Sequence, residues 1–189
     1  MQHFLEERRP VGKPSVATRI WTVGHSTRTI AELLEILHTV PIERVVDVRT
    51  LPKSRHNPQF NRDAFARELE RTGIDYRHAP ELGGLRKPLA DSINRALHHE
   101  GFRGYADHMQ TSKFRDGLDR LIGEAQYSAT TVICAEASPW QCHRRLLADG
   151  LLAREAEVFH LLEAGEVEPH RLSPLACVRD EGVTYPGLL

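Results

Sequence analysis

The sequence has few cysteines, no long apolar run and almost no net charge, and each shortage excludes a class of protein. Three cysteines among 189 residues are too few, and odd in number, for a disulfide framework, which indicates a reducing compartment such as the cytoplasm. No apolar run approaches the ~18 residues of a membrane span, so we expect no membrane partner. The formal net charge is −1, whereas general nucleic-acid binding needs clustered excess Lys and Arg, so a nucleic-acid partner is not favoured.

The length predicts one compact domain with a short segment at each end. Residues 1–19 contain Pro10, Gly12 and Pro14 and lack the apolar core of a secretory signal, which favours a flexible or surface-hugging arm. We expect residues 20–170 to form the domain and residues 171–189 to form a C-terminal tail. The 40% content of hydrophobic residues is enough for a folded core.

Short apolar strands alternate with amphipathic helices along the chain. The predicted strands are Ile20 to Val23, Val45 to Val48, Ile74 to Ala79, Thr130 to Ala135 and Val158 to Leu162. One predicted helix starts with a capping box at Thr29 and ends near Val40, a second starts at Asn61, and a later one spans 142–154. This alternation is typical of βαβ units, so we predict a three-layer α/β/α fold with a mainly parallel, Rossmann-like open sheet.

Polar and reactive residues follow almost every predicted strand. Because the carboxyl ends of parallel strands meet at one edge of the sheet, where ligands bind, these residues are candidates for one site. The candidates are His25, Ser26 and Thr27 after the first strand, Asp47, Arg49, Ser54 and Arg55 after the second, Gly83 and Gly84 after the third, and Cys134, Glu136, Cys142, His143 and Arg144 after the fourth.

These strand-end motifs resemble a bacterial and archaeal family known as domain of unknown function 488. The matching segments are Thr22-Val-Gly-His-Ser-Thr27, Asp47-Val-Arg49, Leu82-Gly-Gly84, Phe102-Arg-Gly-Tyr-Ala-Asp-His-Met109, Cys134-Ala-Glu136 and Cys142-His-Arg144, with the late His160 and His170. The resemblance extends from about Ile20 to His170. It implies a three-layer α/β domain and implies no particular reaction.

The loop after the second strand is basic, with four Lys or Arg residues against one acid between Asp47 and Arg62. Arg144 comes from the fourth strand's loop, and guanidinium groups match the oxygens of phosphate and carboxylate. An anionic ligand is the natural occupant, although Asp47 and Glu136 could pair with these arginines instead. Ser26 and Thr27 are expected mainly to cap a helix. Gly83 and Gly84 permit an unusual turn or a close approach to a ligand.

The cysteines allow three interpretations. Cys142 is expected at a helix N-terminus, where the pKa of a thiol is lowered, with His143 or His25 as a base for nucleophilic catalysis. Alternatively, Cys134 and Cys142 are a structural pair of small buried side chains. A metal held by Cys134, Cys142 and His143 is also conceivable, but the seven residues between the cysteines are not the spacing of structural zinc sites, so no metal is predicted.

Together, these residues favour an enzyme that acts on an anionic small molecule, phosphate- or carboxylate-bearing and of nucleotide-like character. Cys142, His143 and His25 would be the catalytic groups, and the remaining candidates would bind the ligand. One alternative is a non-catalytic regulatory module that binds nucleotides or nucleic acid. Another is a protein that binds metal through its Cys and His residues. The residues point to no particular cofactor.

Overall fold

The computed structural model describes residues 17–179 and 182–187, so most of the predicted N-terminal arm lies outside the described residues. The strands are β1 (Arg19–Gly24), β2 (Arg44–Asp47), β3 (Asp75–His78), β4 (Thr130–Cys134), β5 (Glu157–Leu161), β6 (Val167–Pro169), β7 (Cys177–Arg179) and β8 (Gly182–Thr184). The α-helices are α1 (Ile30–Leu37), α2 (Arg62–Arg71), α3 (Glu100–Met109), α4 (Ser112–Ala125) and α5 (Arg144–Leu152). No helix of this described part is long and apolar enough to cross a membrane.

Six strands form one sheet in the order β3-β2-β4-β1-β5-β6. The first five are parallel to one another, and β6 pairs antiparallel with β5 at the edge. This confirms the predicted mainly parallel α/β sheet. Strand β4 lies between β1 and β2, whereas dinucleotide-binding domains of order 3-2-1-4-5-6 place β1 beside β2. The carboxyl ends of β2, β4 and β1 are therefore next to one another.

Each face of the sheet is covered by helices, as the alternating side-chain direction of strands requires. Val45 and Ile133 face α1 and α2, whereas their neighbours Val46 and Val132 face α3, α4 and α5. The two apolar clusters make the three layers that the sequence predicts. Because both faces are buried, loops at the strand ends are the part of the domain left open to ligands.

Local sequence determines where the helices around the site begin and end. The predicted capping box of α1 is present, with the Thr29 side chain accepting from the Glu32 backbone and Glu32 accepting from the Thr29 backbone. Helix α1 ends at Leu37 rather than near Val40, because Thr39 N–H bonds to the Ile36 carbonyl, three residues back. Helix α5 starts at Arg144 rather than at 142, because residues 139–141 form a 3₁₀ turn and position 142 is extended.

The segment after residue 170 packs against the domain. Strands β7 and β8 pair antiparallel, and Val183 and Tyr185 are fully or almost fully buried. The Tyr185 hydroxyl donates to Asp149 Oδ2 at 2.6 Å, and its backbone N–H donates to Asn94 Oδ1 at 2.8 Å. The hydroxyl of Tyr185 thus anchors the C-terminal segment to α5, and the described part of the predicted tail packs on the domain.

Replacing Tyr185 by Ala should lower the free energy of unfolding by about 3–5 kcal/mol, the usual range for a buried aromatic side chain. The loss combines a cavity with a carboxylate at Asp149 that no longer has its hydroxyl donor. Urea unfolding followed by circular dichroism measures it. Tyr127→Ala is the matched control, because Tyr127 is 89% exposed and should change stability by less than about 0.5 kcal/mol. Equally small effects would contradict the anchoring role.

Candidate functional site

Residues that follow β1, β2 and β4 meet along one continuous cleft at the carboxyl edge of the sheet. Three adjoining cavities of about 400, 200 and 440 Å³ share Glu136 in their walls, and we call them together the edge cleft. Arg49 is common to the first two cavities, and His143 is common to the last two. The edge cleft therefore joins segments that are more than 100 residues apart, as parallel strand ends predict.

One end of the edge cleft is lined by hydroxyl, amide and basic groups. Its lining residues are His25, Ser26, Thr27, Arg49, Leu51, Lys53, Ser54, Asn57, Ala135 and Glu136. The predicted Arg55 is exposed and is not among the residues that line any of the three cavities, whereas Lys53, two residues earlier, is. Ser54 Oγ accepts from the Asn57 backbone at 3.0 Å, so it stabilises the loop as well as facing the cavity.

Arg49 is held by protein groups on nearly every side. Its Nε and Nη2 donate to the two carboxylate oxygens of Asp47 at 2.9 and 2.5 Å, and Nη2 also donates to the Phe60 carbonyl at 2.8 Å. Tyr76 donates its hydroxyl to the same carboxylate at 2.8 Å. Arg49 and Asp47 thus form a buried, compensated pair that shapes the cleft wall. Much of the anion-binding capacity expected of Arg49 is used within the protein.

His25 is fixed in one neutral form by its neighbours. Arg49 Nη1 lies 3.1 Å from His25 Nε2, and the Ser26 carbonyl lies 2.9 Å from Nδ1, so Nε2 accepts and Nδ1 donates. Burial, and then the charge of Arg49, lowers the pKa of His25 to about 4. The ring also stacks on Phe60 at 4.2 Å. His25 is therefore engaged with Arg49, and its ring bonds do not connect it to Cys142.

The other end of the edge cleft contains a compact Cys–His cluster. Cys134 ends β4, Cys142 caps the 3₁₀ turn, and His143 precedes the first turn of α5. The His143 Nδ1 atom lies 3.7 Å from Cys142 Sγ and 3.9 Å from Cys134 Sγ, and all three atoms lie within 4.8 Å of one another. We call these three residues the thiol cluster. The sequence allowed the two cysteines to be either a structural or a reactive pair. In the structure both sulfurs lie close to the same imidazole nitrogen.

The environment favours one thiolate in the thiol cluster. The pKa of Cys142 is lowered, first because Cys134 donates to its sulfur and also because His143 and Arg144 favour the anion, against the opposing effect of burial. The pKa of Cys134 is raised by that same hydrogen bond and by burial. Cys134 Sγ also lies 3.2 Å from Glu136 Oε2, which is a second acceptor within reach of its single thiol proton. These interactions favour the thiolate form at Cys142 over Cys134.

Arg144 holds the loop between β4 and α5 rather than facing the cleft. Its guanidinium is fully buried and donates through Nη2 to the Glu136 and Ala137 carbonyls at 2.5 and 3.0 Å. Nη1 donates to Thr22 Oγ1 on β1 at 3.3 Å. Gly24 makes this close fit possible, because a Cβ there would lie 1.8 Å from the Glu136 carbonyl oxygen. Arg144 therefore positions the thiol cluster, and its donors are not turned toward an anion.

The two predicted glycines, Gly83 and Gly84, lie on opposite sides of a close backbone approach. A Cβ on Gly83 would be 2.5 Å from Thr50 Oγ1, and a Cβ on Gly84 would be 2.8 Å from His143 Nδ1. Gly84 lines two of the three cavities beside Leu85. The glycines thus allow the chain to pass close to Thr50 and to the thiol cluster, so the close approach here is to the protein's own groups.

A chain of buried hydrogen bonds leads away from Arg144 through the domain. Thr22 Oγ1 lies 2.7 Å from His160 Nδ1, His160 Nε2 lies 2.9 Å from His170 Nδ1, and His170 Nε2 lies 3.0 Å from Asp149 Oδ1. In the order from the guanidinium to the carboxylate, every member can donate to the next one. We call this chain the histidine relay. It connects the buried Arg144 guanidinium to the buried Asp149 carboxylate.

Sequence reasoning missed Lys53, Thr22 and Asp149 as members of this region. Lys53 and Arg55 lie on the same irregular loop, and only Lys53 lines the cleft. An irregular loop has no repeating side-chain direction, so the sequence could not show which of the two faces the cleft. The relay residues come from four distant segments, so no local motif marks them. Strained backbone marks the cleft as well: Ser26 and Leu85, with φ of 48° and 58°, are two of the three non-glycine residues with positive φ in the described ranges.

Burial, and then the charges of His170 and Arg144, lower the pKa of His160 to about 3, against about 6.5 in an unfolded chain. Between these two pKa values the unfolded chain binds more protons than the folded one. The contribution of His160 to the free energy of unfolding is therefore complete above pH ~6.5 and is lost as the pH drops toward 3. We expect a loss of up to about 1.4 kcal/mol per pH unit from this imidazole. Urea unfolding between pH 7.5 and 4.5 should show a shallower slope for His160→Gln than for the wild type.

His38→Gln, at an exposed histidine after α1, is the control and should keep the wild-type slope. An unchanged slope in His160→Gln would show that the relay does not exclude protons. The slope is the informative quantity, because the substitution also lowers stability at every pH by interrupting a buried chain.

The sequence matches the model of one protein family. The family model for "Domain of unknown function DUF488" matches residues 29–151, well over half of the chain. No curated protein and no solved structure matches. The matched range includes Asp47, Arg49, Gly84, Cys134 and Cys142, and so contains most of the edge cleft and all of the thiol cluster. The chain belongs to the family of domain of unknown function DUF488.

Proposed function

We propose that this protein is an enzyme that acts on a small anionic molecule in the edge cleft, with the thiol cluster as its reaction centre. One observation carries the proposal: Cys134, Cys142 and His143 place three reactive atoms within 4.8 Å of one another in the walls of two adjoining cavities. Perturbed, clustered titratable groups in a cleft are typical of catalytic sites. A purely structural cysteine pair does not need an adjacent histidine or access to a cleft.

The charge distribution along the edge cleft supports an anionic substrate. Lys53 and Arg49 line the end farther from the thiol cluster, together with the hydroxyls of Ser26, Thr27 and Ser54. Glu136 is the acid in that lining, and Asp47 compensates Arg49. Lys53 thus takes the role that the sequence gave to Arg55 and Arg144. A phosphate or carboxylate held there leaves the rest of the molecule directed along the cleft.

The rim of the edge cleft supports a substrate with an apolar or aromatic part. Leu51 and Leu85 are 72% and 85% exposed, and Trp140 is 43% exposed, although each lines a cavity. Exposed large apolar side chains beside polar groups mark ligand-binding surfaces. A molecule with an anionic group at one end and a flat ring at the other, as in a nucleotide, fits this arrangement.

A reducing compartment, the cytoplasm, suits such an enzyme. Cys134, Cys142 and Cys177 are all free cysteines. Thiolate chemistry at Cys142 requires that Cys134 and Cys142 stay reduced between turnovers.

A panel of phosphate and carboxylate esters that includes nucleotides should contain a compound that the wild-type protein converts. For that compound, Cys142→Ser and His143→Asn should each lower kcat/KM by about 100-fold or more, since each removes a member of the reaction centre. Product formation by chromatography is the measurement. Cys177→Ser removes the remaining cysteine, which lies on β7, and should stay within about twofold of the wild type. Turnover that survives in Cys142→Ser would refute the proposal.

Alkylation of Cys142 tests the anionic preference without a known substrate. In buffer with EDTA, iodoacetate should react faster than neutral iodoacetamide at Cys142, relative to the same ratio at Cys177, because the Lys53 ammonium in the cleft wall attracts the carboxylate of the reagent and raises its local concentration by about tenfold. Peptide mass spectrometry gives both ratios in one sample. Lys53→Ala should reduce the preference, and Arg55→Ala, which removes the same charge two residues away, should not. The reverse pattern would favour Arg55 as the anion-binding side chain.

A further inference from the structure

The geometry of the thiol cluster points to a metal site that we propose holds Zn²⁺ through Cys134, Cys142 and His143, with the fourth position open to the edge cleft. In tetrahedral zinc sites the Zn–S and Zn–N distances are about 2.3 and 2.0–2.1 Å, which places neighbouring ligand atoms roughly 3.5–3.8 Å apart. The distances from His143 Nδ1 to the two sulfurs are 3.7 and 3.9 Å. A zinc ion therefore fits between these atoms with small movements.

The ligand types select for zinc among common metal ions. Thiolate and imidazole are soft and intermediate donors, which favour Zn²⁺ over the oxygen-preferring Mg²⁺ and Ca²⁺. Two cysteines and one histidine with an open position are also a known composition of catalytic zinc sites, whereas structural sites use four protein ligands. Within the described ranges, only this group of three Cys, His, Asp or Glu residues has its ligand atoms so close together.

The fold preorganises the ligands although their spacing is unlike that of zinc fingers. Arg144 fixes the loop after Cys134 through the Glu136 and Ala137 carbonyls. Its own backbone N–H points at Cys142 Sγ from 3.5 Å, an arrangement that stabilises a thiolate. The seven residues between the cysteines span a strand end and a 3₁₀ turn. The spacing argument against a metal concerns zinc motifs whose cysteines are two to four residues apart in one tight turn, and this longer loop is a different structure.

The His143 ring is held in place by packing. Tyr105 lies 4.8 Å away between ring centroids, and Gly84 leaves space beside Nδ1 that a Cβ would fill. The Nε2 atom is buried without a hydrogen-bond partner among the described residues, so the polar contacts of the ring are those of Nδ1, which faces the two sulfurs. This orientation is the one that a metal ligand requires.

Glu136 is placed to move protons at the open position. Its Oε2 lies 3.2 Å from Cys134 Sγ, and the residue lines all three cavities. A zinc-bound water has its pKa lowered to about 7 and would give its proton to this carboxylate. The hydroxide would form a bond to an electrophilic carbon or phosphorus, and the leaving group would depart with the proton from Glu136. Water is the sole co-reactant, and no electron is transferred.

This inference deepens the proposed function. Only the reaction class rests on that function: the anionic molecule would be hydrolysed, and no part of it would be transferred to a cysteine. The metal site itself depends on ligand geometry alone. If Cys142 were a free nucleophile, Cys134 would act only through its hydrogen bond to that sulfur, whereas a hydrolytic zinc site uses both sulfurs as ligands and Glu136 as the base.

Zinc titration of the full-length protein tests the site directly. The protein is stripped with EDTA under a non-thiol reductant and titrated with Zn²⁺ against a chromogenic chelator. We expect one equivalent per chain, with affinity reduced more than about 100-fold in Cys134→Ser, Cys142→Ser and His143→Asn, beyond the 10–100-fold typical of residues outside the ligand set. Cys177→Ser should bind as the wild type does. Circular dichroism of each metal-free variant shows that it is folded.

Cobalt substitution identifies the ligands. Co²⁺ in the wild-type protein should show a thiolate-to-metal charge-transfer band and the intense visible bands of tetrahedral coordination, and His143→Asn should keep the former with altered visible bands. Weak binding that all variants share, or a cobalt spectrum without the thiolate band, would overturn the site. Glu136→Gln should bind Zn²⁺ within a few-fold of the wild type and lose turnover of the converted ester.

The outcomes separate this inference from the proposed function. If the wild-type protein binds no zinc but Cys142→Ser abolishes turnover, the enzyme stands and the metal site is wrong. If zinc binds as expected and no variant of the thiol cluster affects turnover, the metal site stands and its catalytic use is wrong. Full turnover by Glu136→Gln would reject the hydrolytic step assigned to the carboxylate.

Discussion

The buried guanidinium of Arg144 is the constraint on which the site depends. A charge without solvent must be surrounded by oxygen atoms, and here the main chain after Cys134 supplies two carbonyls while β1 supplies a hydroxyl. Those contacts leave the loop between β4 and α5 a single conformation, and that conformation brings Cys142 and His143 back to the end of β4. The balancing carboxylate of Asp149 lies at the far end of the histidine relay rather than beside the charge.

The charged side chains near the cleft fall into two groups, those that are buried and those that are exposed to it. Arg49 and Arg144 are both almost completely buried and donate their hydrogen bonds to groups of the protein, so they stabilise the structure around the cleft. The polar side chains that stay exposed or half-buried in this part of the cleft wall include Lys53, Glu136 and the hydroxyls of Ser26, Thr27 and Ser54. Removing one partner of a buried ion pair costs several kcal/mol, so these arginines contribute to the stability of the cleft wall. The cleft therefore combines a closely packed Cys–His end with a more exposed polar end.

Much of this organisation could be predicted from the sequence, and the remainder depends on contacts that have no local pattern. The alternation of strands and helices, the capping box at Thr29 and the meeting of His25, Arg49 and Cys134 at one edge all follow from periodicity and strand direction. Which carbonyl Arg144 would meet, and whether Lys53 or Arg55 would face inward, depends on the path of irregular loops. The seven-residue gap between Cys134 and Cys142 differs from the spacing of structural zinc motifs, and spacing rules say nothing about how close two sulfurs come in a loop that Arg144 closes.

The path of the histidine relay has a consequence for the order in which the protein matures during synthesis. Asp149 receives hydrogen bonds from His170 and Tyr185, both near the C-terminal end of the described chain. A nascent chain whose sheet strands have already left the ribosome still lacks these donors while residue 185 remains in the exit tunnel. The Asp149 carboxylate is then a charge without either donor, and His160 still lacks its partner His170. The hydrogen bonds that join the sheet to α5 through the histidine relay are therefore completed only after that last segment is released.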